Sequence, residues 1–138
     1  MDPARVLQLM VEPTVGSVAG VRVAGELTAG GGLRLLRLLD DVVRRAEVRG
    51  GISHLLVDLA NVRAFEIDGI RVLRHARLSS ARVGVQLLLS GIDGHRSALP
   101  QRVEAALAEF ATVATIDDVA LDCLRIEEAD RLVVPVAV

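Results

Sequence analysis

The sequence is poor in aromatic residues and contains no lysine. Its 138 residues include two phenylalanines, Phe65 and Phe110, and no tryptophan or tyrosine. Proteins commonly bind single-stranded nucleic acid by stacking bases on aromatic side chains, so this class of partner is not expected. All sixteen basic residues are arginine, and the eighteen acidic residues bring the net charge to −2. A chain with so small a net charge has no general attraction for nucleic acid or for anionic membrane surfaces.

Cysteine and long apolar runs are also scarce. Cys123 is the single cysteine, so the chain forms neither an internal disulfide nor a thiolate cluster for zinc, which is typical of a reducing compartment. The first ten residues interleave polar and apolar side chains and lack the apolar centre of a signal peptide. No run approaches the roughly 18 apolar residues that cross a bilayer. These absences predict a cytoplasmic protein without membrane insertion.

The apolar patterns that are present predict one α/β domain. Pro13 and Gly16 supply a turn between the first two strands, which favours an N-terminal β-hairpin. Strands and helices then alternate, and this order favours a mixed, mostly parallel sheet with packed helices. The predicted strands cover residues 6–11, 17–27, 55–58, 85–89 and 113–116, and the predicted helices cover residues 33–48, 69–80, 101–110 and 117–126.

Residues 54–73 form the central unit of this pattern. Leu55, Leu56 and Val57 make a continuous apolar run, which is typical of a strand buried on both faces. A polar corner follows, and Asp68 is predicted to be the N-cap of a helix. The apolar residues of that helix repeat at helical spacing, as Ile70, Leu73 and Ala76.

This unit resembles the signature of STAS domains, a family that includes bacterial anti-sigma factor antagonists. Asp58-Leu59 matches the Asp-Leu that ends the family's strand, and Gly69-Ile70 matches the start of its helix. Upstream, Gly25-Glu26-Leu27 is similar to the family's Gly-Glu-Leu-Asp element. The resemblance covers residues 6–124 and implies a single STAS-like domain over residues 1–138, with a C-terminal extension at residues 125–138.

The corner departs from the family pattern. Glu66 stands where the family has Asp, Ile67 where it has the phosphorylatable Ser, and Asp68 where it has a second Ser. Thr28 stands at the Asp position of the upstream element. Because Ile67 has no hydroxyl, the phosphorylation switch that the resemblance implies cannot operate at that position.

The resemblance implies a non-catalytic protein-interaction module without a cofactor, acting as an anti-sigma factor antagonist in bacterial transcription regulation. Its partner would be an anti-sigma factor with a histidine-kinase-like ATP-binding fold, and a homodimer is left open. The family docks through the Ser-bearing corner and the following helix. The implied partner-binding residues are therefore Glu66, Ile67, Asp68, Gly69, Arg71, Arg74, His75 and Arg77.

Three of these residues form a row of cations at a spacing of three. Arg71, Arg74 and Arg77 are predicted to face outward from the helix, without an acidic partner at i,i+4 inside it. Like charges in a row destabilise a helix slightly, and an acidic partner would relieve this. An ordinary solvated helix face is the alternative interpretation.

The remaining sequence patterns give weaker indications of a functional site. Gly30, Gly31 and Gly32 before a helix, together with Thr28, could contact a nucleotide or a small anion, although P-loop and dinucleotide-binding spacings are missing and a flexible loop is the alternative. A ligand-sensing or scaffold STAS domain, alone or in a larger STAS assembly, is therefore the alternative function. The three histidines lack the spacing of a metal site, and no nucleophile lies in a catalytic motif.

Overall fold

The computed structural model describes residues 6–114 of the chain. The predicted helix at residues 117–126, Cys123 and the C-terminal extension lie outside the described residues. The strands are β1 (Gln8–Val15), β2 (Val18–Leu27), β3 (His54–Phe65) and β4 (Gln86–Ser90). The helices are α1 (Ala29–Glu47), α2 (Ile67–Arg82) and α3 (Gln101–Leu107), with a short 3-10 helix at Asp93–Ala98.

The four strands form one mixed sheet in the order β1-β2-β3-β4. β1 and β2 pair antiparallel as a hairpin, whereas β2 pairs parallel with β3 and β3 pairs parallel with β4. Gly16 has a φ of 58° in the hairpin turn, a conformation that glycine adopts at little steric cost. The predicted hairpin and the mostly parallel sheet are both confirmed. Thr112 adds an isolated parallel bridge to Leu89, at the edge where a further strand is predicted at residues 113–116.

The helices cover one face of the sheet, where the main core lies. Alternate residues of each strand point to this face, and the apolar stripes of the three helices meet them. The opposite face carries a smaller apolar cluster of Val18, Leu56 and Leu88, against which Val113 packs. The prediction that β3 is buried on both faces is therefore confirmed. The main core includes Val21, Leu55, Val57, Leu87 and Leu89 from the sheet and Leu35, Leu39, Ile70, Leu73, Val103 and Leu107 from the helices.

Two helix starts differ from the prediction. α1 begins at Ala29 rather than at residue 33, because the Thr28 side chain caps it by accepting the Gly31 N–H at 3.1 Å. α2 begins at Ile67 with Glu66 at its N-cap position, where no side-chain capping bond is formed. The prediction that Asp68 is the N-cap is therefore wrong, since Asp68 lies inside the first turn of α2. None of the helices between residues 6 and 114 is long and apolar enough to cross a membrane.

Candidate functional site

The corner, residues 66–69, joins β3 to α2 beside the end of β2. The Glu66 N–H donates a hydrogen bond to the Leu27 carbonyl oxygen at 3.0 Å, and this bond ties the corner to β2. Glu66 and Asp68 are exposed, whereas Ile67 between them is half-buried. The corner therefore presents one apolar side chain flanked by two carboxylates.

Gly69 allows the corner to approach the β2–α1 junction closely. A Cβ atom on Gly69 would lie 2.5 Å from the Leu27 carbonyl oxygen and 2.9 Å from that of Thr28. On the facing helix, a Cβ atom on Gly32 would lie 3.0 Å from the Val72 Cβ and 3.1 Å from the Gly69 carbonyl oxygen. The two glycines therefore let the N-terminal ends of α1 and α2 lie in direct contact, which brings Thr28 next to the corner.

The glycine run belongs to the first turn of α1 and serves packing. The Gly32 N–H donates to the Thr28 carbonyl oxygen at 2.7 Å. Gly31 and Gly32 are buried, and a Cβ atom on Gly31 would lie 3.1 Å from the Leu7 Cβ. Gly30 alone is exposed, with open space around it. The interpretation of this run as a flexible loop is wrong, and the predicted anion contact at Thr28, Gly30, Gly31 and Gly32 remains a prediction.

Asp68 is paired within its own helix. Its Oδ1 lies 3.2 Å from Nη1 of Arg71, one turn further along α2, and both side chains are mostly exposed. The first cation of the predicted row therefore has an acidic neighbour at i,i+3. Exposed pairs of this kind contribute about 0–1 kcal/mol, so either member can exchange this contact for another at small cost.

The row of three arginines does not share one face of α2. Each step of three residues advances about 300° around a helix, so the row drifts by about 60° per step. Arg77 reaches the side that packs on the end of α3, where its Nη1 donates to the Glu109 carbonyl oxygen at 2.7 Å. Its guanidinium also lies 4.9 Å from the centre of the Phe110 ring. Arg74 is exposed and points toward the Glu109 carboxylate at 3.9 Å.

The prediction that Arg77 faces outward is therefore wrong. The exposed residues that do share a face are spaced by three and four, as a 3.6-residue period requires. We call them the outward stripe of α2: Arg71, His75, Leu78 and Arg82. Leu78, at the middle of the stripe, is 50% exposed. The predicted partner-binding set did not include Leu78 and Arg82, although the helical period places both on the same face as Arg71.

The histidines lie apart from one another. His75 is on the outward stripe, and His54 starts β3. The Nε2 of His95 lies 3.0 Å from the Leu59 carbonyl oxygen and 3.1 Å from that of Ala60, and since carbonyl oxygens only accept, the Nε2–H is the donor. Its ring also makes an edge contact with Phe65. Between residues 6 and 114, no group of three histidine, cysteine or acidic side chains is arranged to hold a metal ion.

Comparison with known proteins identifies the family. The STAS domain model matches residues 11–116 of the chain. The chain belongs to the STAS domain family. An anti-sigma factor antagonist from Mycobacterium paratuberculosis has a TM-score of 0.60 at 22% identity, covering 89% of this chain and 97% of that one. No curated protein matches the sequence.

Two further structures show the same STAS fold. The Bacillus cell fate determinant SpoIIAA in its phosphorylated form has a TM-score of 0.57 at 9% identity, covering 85% of this chain and 99% of that one. A sulfate transporter family protein from Wolinella succinogenes has a TM-score of 0.56 at 19% identity, covering 84% of this chain and 93% of that one. These identities are low, so the likeness concerns the fold.

This STAS domain thus brings together most of the predicted partner-binding residues. The corner and the start of the outward stripe form one continuous surface through the Asp68–Arg71 pair. Arg77 is not part of the surface. We call this surface the docking face: residues 66–69 and the outward stripe of α2.

Proposed function

We propose that this STAS domain is a non-catalytic interaction module that antagonises a bacterial anti-sigma factor by binding it through the docking face. The observation that carries the proposal is the continuity of the corner with an exposed stripe of mixed cationic and apolar character. As the family resemblance implies, the partner has a histidine-kinase-like ATP-binding fold and the complex acts in transcription regulation in the cytoplasm. A homodimer remains an option that this proposal does not need.

The chemistry of the docking face indicates what the partner presents. Arg71 and Arg82 lie at the two ends of the outward stripe, about 16 Å apart along the helix axis at 1.5 Å per residue. Leu78 and His75 lie between them. A matching surface therefore has carboxylates at its ends and an apolar side chain near its centre, so that the arginines are paired and Leu78 is removed from water.

Ile67 supports binding where the family has a hydroxyl. Its side chain is half-buried in the free domain, so a partner could cover the remaining apolar area. Full burial of such a side chain is worth about 1.5–3 kcal/mol, and the exposed part contributes a fraction of that. The corner therefore favours a docked state that phosphorylation at position 67 cannot reverse.

The first experiment measures binding to the ATP-binding anti-sigma factors of the source genome, each purified and immobilised in turn. The test variant is the double charge reversal Arg71→Glu/Arg82→Glu. The matched control is Arg44→Glu/Arg49→Glu, which changes the net charge equally at exposed positions near the far end of α1. We expect the test variant to associate at least tenfold more slowly at low salt, with a smaller effect at high salt, because screening weakens steering by exposed charges.

The control variant should associate like wild type. Equal association rates for both double variants, in protein shown to be folded, would mean that the outward stripe is an ordinary solvated face. Absence of binding by wild type to every such anti-sigma factor would refute the proposed function itself.

One observation favours the ligand-sensing alternative. An open cavity of about 670 Å³ lies at the C-terminal half of β3, and its lining includes the polar side chains of Gln8, Asn61, Arg63 and His95. This volume lies within the range of small-ligand sites. A nucleotide or an inorganic anion bound there would raise the unfolding temperature in proportion to the logarithm of its concentration. Arg63→Ala should abolish that shift, whereas a shift that persists would place the ligand elsewhere.

A further inference from the structure

One edge of the sheet is covered and the other is open. At the β4 edge, the Leu89 N–H donates to the Ala111 carbonyl oxygen and the Val113 N–H donates to the Leu89 carbonyl oxygen, each at 2.9 Å. At the opposite edge, β1 pairs with β2, and no other strand between residues 6 and 114 pairs with it. Alternate residues of an edge strand direct their N–H and C=O groups away from the sheet. The outer side of β1 therefore presents backbone donors and acceptors to a further strand.

β1 has few of the features that usually protect an open edge. Such strands commonly carry charged side chains, above all lysine, that prevent pairing with another chain. β1 contains no lysine or arginine, and its single charged residue is Glu12. The Glu12 carboxylate turns back onto the sheet, where its Oε1 lies 3.1 Å from Nε of Arg22 on β2. Pro13 has no N–H and limits pairing to the residues before it.

Apolar side chains are exposed at the centre of this edge. Val11 pairs with Val21 of the main core, so it lies on the helix-covered face, and its neighbour Met10 lies on the other face. Met10 is 59% exposed and Val11 is 52% exposed. The edge therefore exposes apolar area on both faces of the sheet.

α1 lies over the same edge. A Cβ atom on Gly31 would lie 3.1 Å from the Leu7 Cβ, and Nη1 of Arg34 donates to the Leu7 carbonyl oxygen at 3.0 Å. Leu38 and Val42 follow Arg34 at steps of four residues, on the same side of the helix. Both are half-buried, so the side of α1 next to β1 leaves apolar area uncovered.

We infer that the β1 edge is the interface of a homodimer, in which the β1 strands of two copies pair antiparallel and join the two four-stranded sheets into one. A two-fold axis perpendicular to the sheet relates the two strands and keeps the helices of both copies on one face. An axis through Glu12 would place two carboxylates opposite each other, at a Cβ separation of about 5 Å. An axis near Met10 and Val11 places apolar side chains there instead.

A second copy fits this edge better than an isolated peptide strand. Neighbouring strands are about 4.8 Å apart, so two α1 helices that each lie over a β1–β2 hairpin would be about 10 Å apart across the axis, a distance at which helices pack. The two helices would cover Leu38 and Val42 of each other. Asp41 and Arg45 are paired at 3.0 Å and add no net charge. A peptide strand would satisfy the backbone groups of β1 but would leave these apolar side chains uncovered.

The dimer leaves the docking face free. α2 lies on the other side of α1, where the Ser79 hydroxyl donates to Oδ1 of Asp40 at 3.4 Å. It connects β3 to β4, and both strands are separated from β1 by β2. Each dimer would therefore present two docking faces. The inference goes beyond the proposed function and does not depend on it.

The test measures the mass of the full chain by sedimentation equilibrium over a concentration series. The monomer has a mass of 14.7 kDa, and we expect wild type to approach twice this mass with a dissociation constant below about 100 μM. The test variant is Met10→Lys/Val11→Lys. The matched control is Val48→Lys/Val83→Lys, which adds the same charge at exposed apolar residues at the C-terminal ends of α1 and α2.

We expect the dissociation constant of the test variant to rise at least tenfold, because like charges then face each other across the axis. The control should dimerise like wild type. A variant that fails to fold would also lack the dimer, so Met10→Glu/Val11→Glu is made as well. Each charged variant alone should be monomeric, and an equimolar mixture of the two should form heterodimers, since opposite charges then meet at the axis.

Three results would overturn the inference. The first is a wild-type chain that stays monomeric up to about 100 μM, which would leave the open edge to a strand of another protein. The second is a wild-type dimer that the lysine pair at residues 10 and 11 weakens no more than the control pair does. The third is a mixture of the two charged variants that remains monomeric. None of these results bears on binding of an anti-sigma factor, because the docking face lies outside the dimer interface.

Discussion

Replacing Gly69 with alanine tests the packing that holds the corner in place. The new Cβ would lie 2.5 Å from the Leu27 carbonyl oxygen and 2.9 Å from the Leu27 carbonyl carbon and the Thr28 carbonyl oxygen. All three atoms belong to the backbone, so no side chain can rotate away. An ordinary contact of about 3.5 Å would require α2 to move by about 1 Å relative to the β2–α1 junction.

The expected change in the free energy of unfolding combines two opposing contributions. Overpacking of this kind typically destabilises by about 1–3 kcal/mol, and a backbone clash favours the upper end. Alanine in place of glycine in a helix recovers about 0.5–1 kcal/mol. We therefore expect Gly69→Ala to lower the free energy of unfolding by about 2 kcal/mol.

Urea unfolding measures the change in the free energy of unfolding, and Gly30→Ala is the matched control. Gly30 lies in the first turn of α1 with open space around the added methyl group, so this variant should be stabilised by about 0.5–1 kcal/mol. If the free energy of unfolding of Gly69→Ala lies within about 0.5 kcal/mol of that of wild type, the corner does not pack as closely against β2 as the structure indicates.

Three further predictions concern the docking face and its surroundings. Arg77→Ala should lower the free energy of unfolding by about 1–2 kcal/mol, whereas Arg82→Ala should stay within about 0.5 kcal/mol of wild type in urea unfolding. Ile67→Ser should create an acceptor that an ATP-loaded partner phosphorylates, while Ile67 itself stays unmodified, as mass spectrometry would show. Glu66→Gln and Asp68→Asn should each tighten binding by less than tenfold, and a larger gain would identify the corner as a built-in imitation of phosphoserine.

The central unit could be predicted because its signals are local. The apolar run of β3, the corner and the apolar period of α2 depend on neighbours within one or two turns. The start of α1 could not be predicted in this way, because three glycines in a row oppose helix formation at about 1 kcal/mol each. Contacts of Gly31 with Leu7 and of Gly32 with Val72 favour the helix there. Both contacts depend on residues far away in the sequence.

The arginine row also combines a feature that follows from the local sequence with one that depends on distant contacts. The drift of a three-residue spacing around a helix follows from helix geometry alone, so the sequence contained enough information to place Arg71, His75, Leu78 and Arg82 on one face. The position of α3 beside Arg77 did not follow from any local pattern. The hydrogen bond from Arg77 to the Glu109 carbonyl joins residues 32 positions apart. From the sequence alone, an arginine that forms such a long-range bond cannot be distinguished from an arginine that is exposed to solvent.

The charges at the corner favour a domain that is ready to bind a partner. Glu66, Asp68 and Arg71 together carry one net negative charge, because the Asp68–Arg71 pair at 3.2 Å cancels within the helix. The remaining carboxylate is exposed and well hydrated. Since an exposed ion pair contributes at most about 1 kcal/mol, Arg71 can turn from Asp68 toward a partner carboxylate at little cost.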